Sequence, residues 1–207
     1  MLILGIDPGT TTTGYGLIQI KKNSVSGGLI ADERKIFKVI DYGCLVTSNE
    51  YSMGERLKKL YHELSELLEK HKPDVLAIEQ IFFFSNAKTV MSVGQAKGIA
   101  MLVAAQKNIQ IYEYTPLQIK LELTNYGRAK KPEVQKRVKQ ILGISVLKKD
   151  KTKKFKDGYH FDDAADALAV AVCHSYKNGG LKKIHPHAKI AKKKTEQSRP
   201  KERRKDG

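Results

Sequence analysis

The sequence opens on an apolar run, Leu2-Ile3-Leu4-Gly5-Ile6, that ends in one carboxylate, Asp7, and turns at once through Pro8-Gly9. A run without polar alternation reads as a strand buried on both faces, in the middle of a sheet. Its terminal acid then stands at the sheet's carboxyl edge, where open α/β sheets place their ligand sites. Taken alone, Asp7 is equally well explained as an ordinary turn residue. Recurrence decides between the two. Asp74-Val75-Leu76-Ala77-Ile78-Glu79 is a second short apolar run that also ends in an acid.

The rest of the chain supplies the elements around these two strands. Thr13 to Ile20 reads as a second strand and Ile36 to Val46 as a third, with a polar hairpin tip over 21–33 marked by Gly27-Gly28. A helix capped near Ser52 carries Met53, Leu57, Leu60, Tyr61, Leu64, Leu67 and Leu68 at helical spacing, and Pro73 ends it. Ala87 to Lys107 is a second helix. Its Gly94 and Gly98, four apart, are expected to admit another backbone closely. Ile109 to Tyr114 is a fifth strand. Thr115-Pro116 caps a short helix to about Leu123, Asn125 to Lys131 is a basic loop, and Pro132 opens a helix that Gly143 stops. Asp162 to Tyr176 is the last helix, with Asp162 as a candidate N-cap. The order β-β-β-α-β-α-β-α-α-α predicts an α/β fold. Its sheet is mixed and five-stranded, a three-strand antiparallel meander plus two parallel strands, with helices packed on its faces.

Charge narrows the function classes. Lys and Arg number 38 against 22 Asp and Glu, a formal excess of +16 over 207 residues. Such an excess predicts a polyanionic partner, and nucleic acid before membrane. Residues 177–207 hold twelve of the cations against Glu196, Glu202 and Asp206, so more than half of the excess sits there. That segment lacks the large apolar residues of a membrane-lying helix. No run approaches the eighteen or so apolar residues of a membrane span, no secretory leader is expected, and Cys44 and Cys173 read as core residues in a reducing compartment. A cytoplasmic protein is expected.

The last helix adds two more acids. Asp163 and Asp166 are three apart and share one helical face, followed by the apolar run Leu168 to Val172. Like charges on a largely buried helix are unfavourable unless a cation neutralises them. If Asp7, Glu79, Asp163 and Asp166 converge, they form an all-oxygen ligand set suited to Mg²⁺ or Mn²⁺ and not to zinc. Two such ions roughly 3.5–4 Å apart serve in-line phosphodiester hydrolysis.

Four stretches, in order, resemble the RuvC family of crossover-junction endodeoxyribonucleases. They are Gly5-Ile6-Asp7-Pro8-Gly9 with Thr13-Gly14-Tyr15-Gly16, Ala77-Ile78-Glu79-Gln80-Ile81-Phe82, Gly94-Gln95-Ala96-Lys97-Gly98, and Asp163-Ala164-Ala165-Asp166-Ala167-Leu168-Ala169. The resemblance covers about residues 2–176. It implies an RNase H-like fold, a homodimer, Mg²⁺, and a four-way (Holliday) DNA junction nicked symmetrically in recombination and repair, leaving 5′-phosphate ends. It further implies the motor proteins RuvA and RuvB as partners. The family's catalytic acids fall on Asp7, Glu79, Asp163 and Asp166, its DNA-contacting aromatic on Phe82, and its two functional lysines on Lys120 and Lys131. Lys130 stands beside the last as an alternative. Residues 1–176 then form the nuclease domain and 177–207 a basic, disordered tail. The hairpin over 21–35, the basic linker over 148–159 and the tail depart from the family pattern.

Other residues have plainer readings. Arg128 is a loop cation, read here as a phosphate contact. Phe83 and Phe84 read as core or dimer contacts. His160 beside Asp163 reads as neither ligand nor proton shuttle. The loop Gly9 to Gly14 also resembles the phosphate loop of actin-like and sugar-kinase ATPases, so an ATP-dependent phosphotransferase is the rival enzyme. A non-catalytic DNA-binding module is the third reading.

Overall fold

The computed structural model describes residues 1–21, 36–81, 87–144 and 160–178. Phe82, Phe83, Phe84, the hairpin tip, the basic linker and the tail beyond Asn178 lie outside the described residues. So does the side chain of His160.

Among the described residues, five strands and five helices follow in the predicted order. They are β1 (Leu2–Asp7), β2 (Thr12–Ile20), β3 (Phe37–Val46), α1 (Met53–His71), β4 (Val75–Glu79), α2 (Ala87–Gln106), β5 (Gln110–Tyr114), α3 (Pro116–Thr124), α4 (Lys131–Leu142) and α5 (His160–Lys177). The sheet runs β3-β2-β1-β4-β5, which puts the opening strand in the centre. β1 pairs antiparallel with β2 and parallel with β4, and β4 parallel with β5.

Helix boundaries follow local chemistry. Ser52 and Glu55 form a reciprocal capping box at the start of α1, and Thr115 and Gln118 form one at α3. Gly143 takes the left-handed conformation (φ 67°) that ends α4. One sequence reading is corrected. α5 begins at His160, so Asp162 sits within the first turn and is not the N-cap. Among the described residues, Gly94 and Gly98 stand in open space: a Cβ built at Gly94 meets the Ile81 side chain at 4.0 Å, and one at Gly98 meets nothing.

Period-two alternation sorts the sheet into two cores. Leu4, Ile6, Leu76 and Ile78 pack under α1 and α2 with Leu60, Leu64, Ala100 and Val103. Ile3, Val75 and Ala77 pack on the other face with α3, α4 and α5. Gly5 shares that second face, since a Cβ there would lie 2.1 Å from the Ala167 carbonyl oxygen. Gly14 and Gly16 of β2 meet α5 in the same way, at the Asp163 carbonyl and at Leu168. Three glycines therefore pave the sheet where α5 lies flush on it. Gly5→Ala is expected to lower the unfolding free energy by about 3 kcal/mol through backbone overpacking. Gly54→Ala, at a position with open space around it, is the control and should be neutral or raise stability by up to about 1 kcal/mol. Urea denaturation of both variants checks the pair.

Candidate active site

Alternation carries through to the strand ends. Asp7 continues the Ile3–Gly5 face and Glu79 the Val75–Ala77 face, so both acids end on the side that α5 covers. The register sets Ile6 beside Ile78, one residue before each acid. Seating α5 against Gly14 then delivers Asp163, and Asp166 comes with it one turn on.

Carboxylate oxygens of Asp7, Asp163 and Asp166 lie within 4.8 Å of one another. Glu79 is not in that triple. It lines the same open cavity, about 340 Å³ in volume, with Asp7, Asp166, Pro8, Val90 and Val93. Burial, and then the charges of Glu79, Asp166 and Asp163, push the Asp7 carboxyl well above its usual range. Glu79 is pushed up to about 7, by burial first and by Asp166 second, against the opposing charges of Lys120 and Lys131. Burial also raises Asp166. Its carboxylate accepts a 2.7 Å hydrogen bond from Lys131 Nζ. Burial works against that ammonium, but the bond to Asp166 and the charges of Asp162 and Asp163 outweigh it and hold Lys131 above its ordinary range.

The site is therefore a net-negative, partly desolvated pocket in which Lys131 is bonded directly to an acid. Among the described residues its donors are the carboxylate oxygens of Asp7, Asp163 and Asp166. That set fits a hard divalent cation.

Lys131 is thus brought to the acids, and Lys120 acts on Glu79 through its charge. Arg128 is exposed on the α3–α4 turn, and no contact ties it to the acids among the described residues. Asp162 stands outside the triple: it accepts from Gln135 Nε2 at 3.1 Å and lies 4.0 Å from Lys131 Nζ.

Arg56 is a residue that the sequence reading missed. From the first turns of α1 its Nε donates to the Thr10 carbonyl and to Thr47 Oγ1, both at 3.2 Å. Its Nη2 donates to Thr10 Oγ1 at 3.0 Å and Thr11 Oγ1 at 2.7 Å. Thr13 Oγ1 donates to the Gly9 carbonyl at 2.6 Å. The turn after Asp7 is clamped from both sides, and its threonine hydroxyls are engaged with protein. In a nucleotide-phosphate loop those groups would be directed at the ligand. An arginine in an amphipathic helix gives no sequence signal for such a role, because it reads as a solvated side chain.

A family model described as crossover junction endodeoxyribonuclease RuvC matches residues 3–174, which span all ten elements. The chain belongs to the RuvC family. The RuvC of Caldicellulosiruptor saccharolyticus is 46% identical over 174 residues, covering 84% of this chain and 92% of that one. The RuvC of Fusobacterium nucleatum is 42% identical, over 84% and 80% of the two chains. Among solved structures, Thermus thermophilus RuvC in complex with a Holliday junction substrate superposes with a TM-score of 0.69 at 27% identity, over 85% of this chain and 93% of that one. The yeast mitochondrial Holliday junction resolvase Ydc2 shares the fold, with a TM-score of 0.58 at 15% identity. The RNase H-like fold expected from the motifs is the fold of the RuvC family, and nucleases of that family use a divalent metal. No helix among the described residues is long and apolar enough to cross a membrane.

Proposed function

We propose that the protein is a Mg²⁺-dependent endonuclease that resolves four-way DNA junctions by paired nicks, acting as a homodimer. The observation that carries the reading is the convergence of Asp7, Asp163 and Asp166 to within 4.8 Å, from a strand end and a helix, in a chain of the RuvC family. Asp7, Glu79, Asp163 and Asp166 would hold the divalent ions. Mg²⁺ bound there supplies Lewis acidity at a phosphoryl oxygen and a water of lowered pKa. The chain's own residues orient the strand and keep the site charged. Asp7 and Glu79 are fixed by the sheet register and so need no reorganisation at the moment of reaction. Lys131, bonded to Asp166 at 2.7 Å, steadies that carboxylate and would offer its ammonium to a phosphate of the bound strand. Lys120, whose charge reaches Glu79, and Arg128 add positive charge for the backbone, and Phe82 stacks on a base near the crossover.

A twofold dimer presents two equivalent sites to a junction that is itself close to twofold, which pairs the nicks. Residues 177–207 form a basic tail that adds salt-sensitive affinity, while residues 1–176 carry the chemistry. The motor proteins RuvA and RuvB, which move a junction, are the expected partners.

The test is a synthetic four-way junction and a linear duplex of the same sequence, each incubated with Mg²⁺ or with chelator. Paired nicks with 5′-phosphate ends are expected on the junction alone and with Mg²⁺ alone. ATP hydrolysis without nicking would establish the phosphotransferase instead, and binding without nicking in any divalent metal the inactive module.

A further inference from the structure

The turn between α3 and α4 presents an aromatic ring that no described contact explains. Tyr126 is 58% exposed, and its phenol makes no hydrogen bond among the described residues. Its backbone, by contrast, is fixed. Asn125 ends α3 in the left-handed conformation (φ 60°), donating to the Leu121 carbonyl. The Tyr126 amide donates to Thr124 Oγ1 at 3.1 Å, and the Tyr126 carbonyl accepts from the Ala129 amide at 3.0 Å. Ala129 is buried in the core beneath. Leu117 packs on Gly127 so closely that a Cβ there would lie 2.6 Å from Leu117 Cδ1. Beyond the turn, Lys131 is bonded to Asp166. The ring is therefore held at a fixed place on an element tied directly to the acid cluster.

The surroundings indicate what it meets. From Leu117 to Lys131 the chain carries Lys120, Arg128, Lys130 and Lys131 against the single acid Glu122. Cations beside an exposed aromatic are the combination that holds nucleic acid with accessible bases. The charges take the backbone and the ring takes a base face, in whatever sequence. Duplex arms offer no free base face. A four-way junction interrupts stacking at its crossover and offers one there.

We propose, resting on the resolvase reading above, that Tyr126 is a stacking platform for an unstacked base at or next to the crossover. It would thereby favour junctions over linear duplex. Because the turn is already ordered, stacking there sacrifices little conformational freedom.

The experiment uses the full chain as wild type, Tyr126→Phe and Tyr126→Leu, with chelator present to prevent cutting. The DNA is a four-way junction carrying 2-aminopurine at each crossover-adjacent position in turn. With wild type and Tyr126→Phe, the fluorescence of at least one position is expected to be quenched on binding, and Tyr126→Leu should abolish the quenching at one such position while leaving any position that Phe82 serves quenched. Junction affinity should fall about tenfold in Tyr126→Leu, within the range of one lost base stack, with duplex affinity and the salt slope unchanged because no phosphate contact is lost. Quenching that persists at every position in Tyr126→Leu, with affinity unchanged, would overturn the proposal while leaving the resolvase reading in place. So would an equal loss on junction and duplex with a reduced salt slope. A wild type that binds junction and duplex alike would overturn the resolvase reading itself.

Discussion

Asp7→Asn is expected to reduce junction cutting by about a thousandfold or more, the scale on which a metal-centred site depends on its charge stabilisation, while raising the melting temperature of the metal-free protein. Both effects have one origin. Asp7 ends the central strand, and burial together with Glu79, Asp166 and Asp163 opposes its ionisation. Asparagine keeps the shape and removes the charge. Without ions the fold loses a repulsion, and the residues that would hold the ions lose an anion. Thermal melts with Mg²⁺ or with chelator, alongside single-turnover nicking, separate the two. Residual cutting within tenfold of wild type, or a fall in metal-free stability, would show that the cluster is not the source of the chemistry.

The second expected result concerns pH. Glu79 carries a carboxyl whose pKa rises from 4.5 in the unfolded chain to about 7 in the fold. Between those values the folded protein binds a proton that the unfolded chain has released, so metal-free stability falls as pH rises. The penalty is absent below about pH 4.5, grows through the interval and is complete above pH 7. It amounts to about 3 kcal/mol at 1.36 kcal/mol per pH unit. A divalent ion prefers the ionised carboxylate, so Mg²⁺-induced stabilisation should grow over the same range as pH rises. Glu79→Gln removes this group's share. Denaturation between pH 5 and 8.5, with Mg²⁺ or chelator, should show a wild-type slope that Glu79→Gln flattens. Identical slopes in the two proteins would refute the assignment of the titration to Glu79.

Much of this arrangement was legible in the residues themselves. Asp7 and Glu79 are read from short apolar runs that stop at an acid, because a strand buried on both faces has no other place for a charge. Asp163 and Asp166 are read from their spacing ahead of an apolar helix. What brings the two pairs together was not legible. Gly5, Gly14 and Gly16 are the contact line, yet a glycine in a strand gives a sequence reader only the sense of a weak or bent segment. Asp162 was misplaced by two residues because α5 starts earlier than its first acids imply. Arg56 and Tyr126 escaped notice for a shared reason. Each looks like an ordinary surface residue until the turn it holds, or is held by, is seen in space.

The glycine pavement under α5 has a consequence for how the enzyme tolerates change. Backbone rests on backbone there, so no rotamer can absorb a shift, and a lifted helix carries two of its four acids out of reach of the others. Substitutions deep beneath that helix, far from any substrate, will therefore register as lost turnover before they register as lost structure.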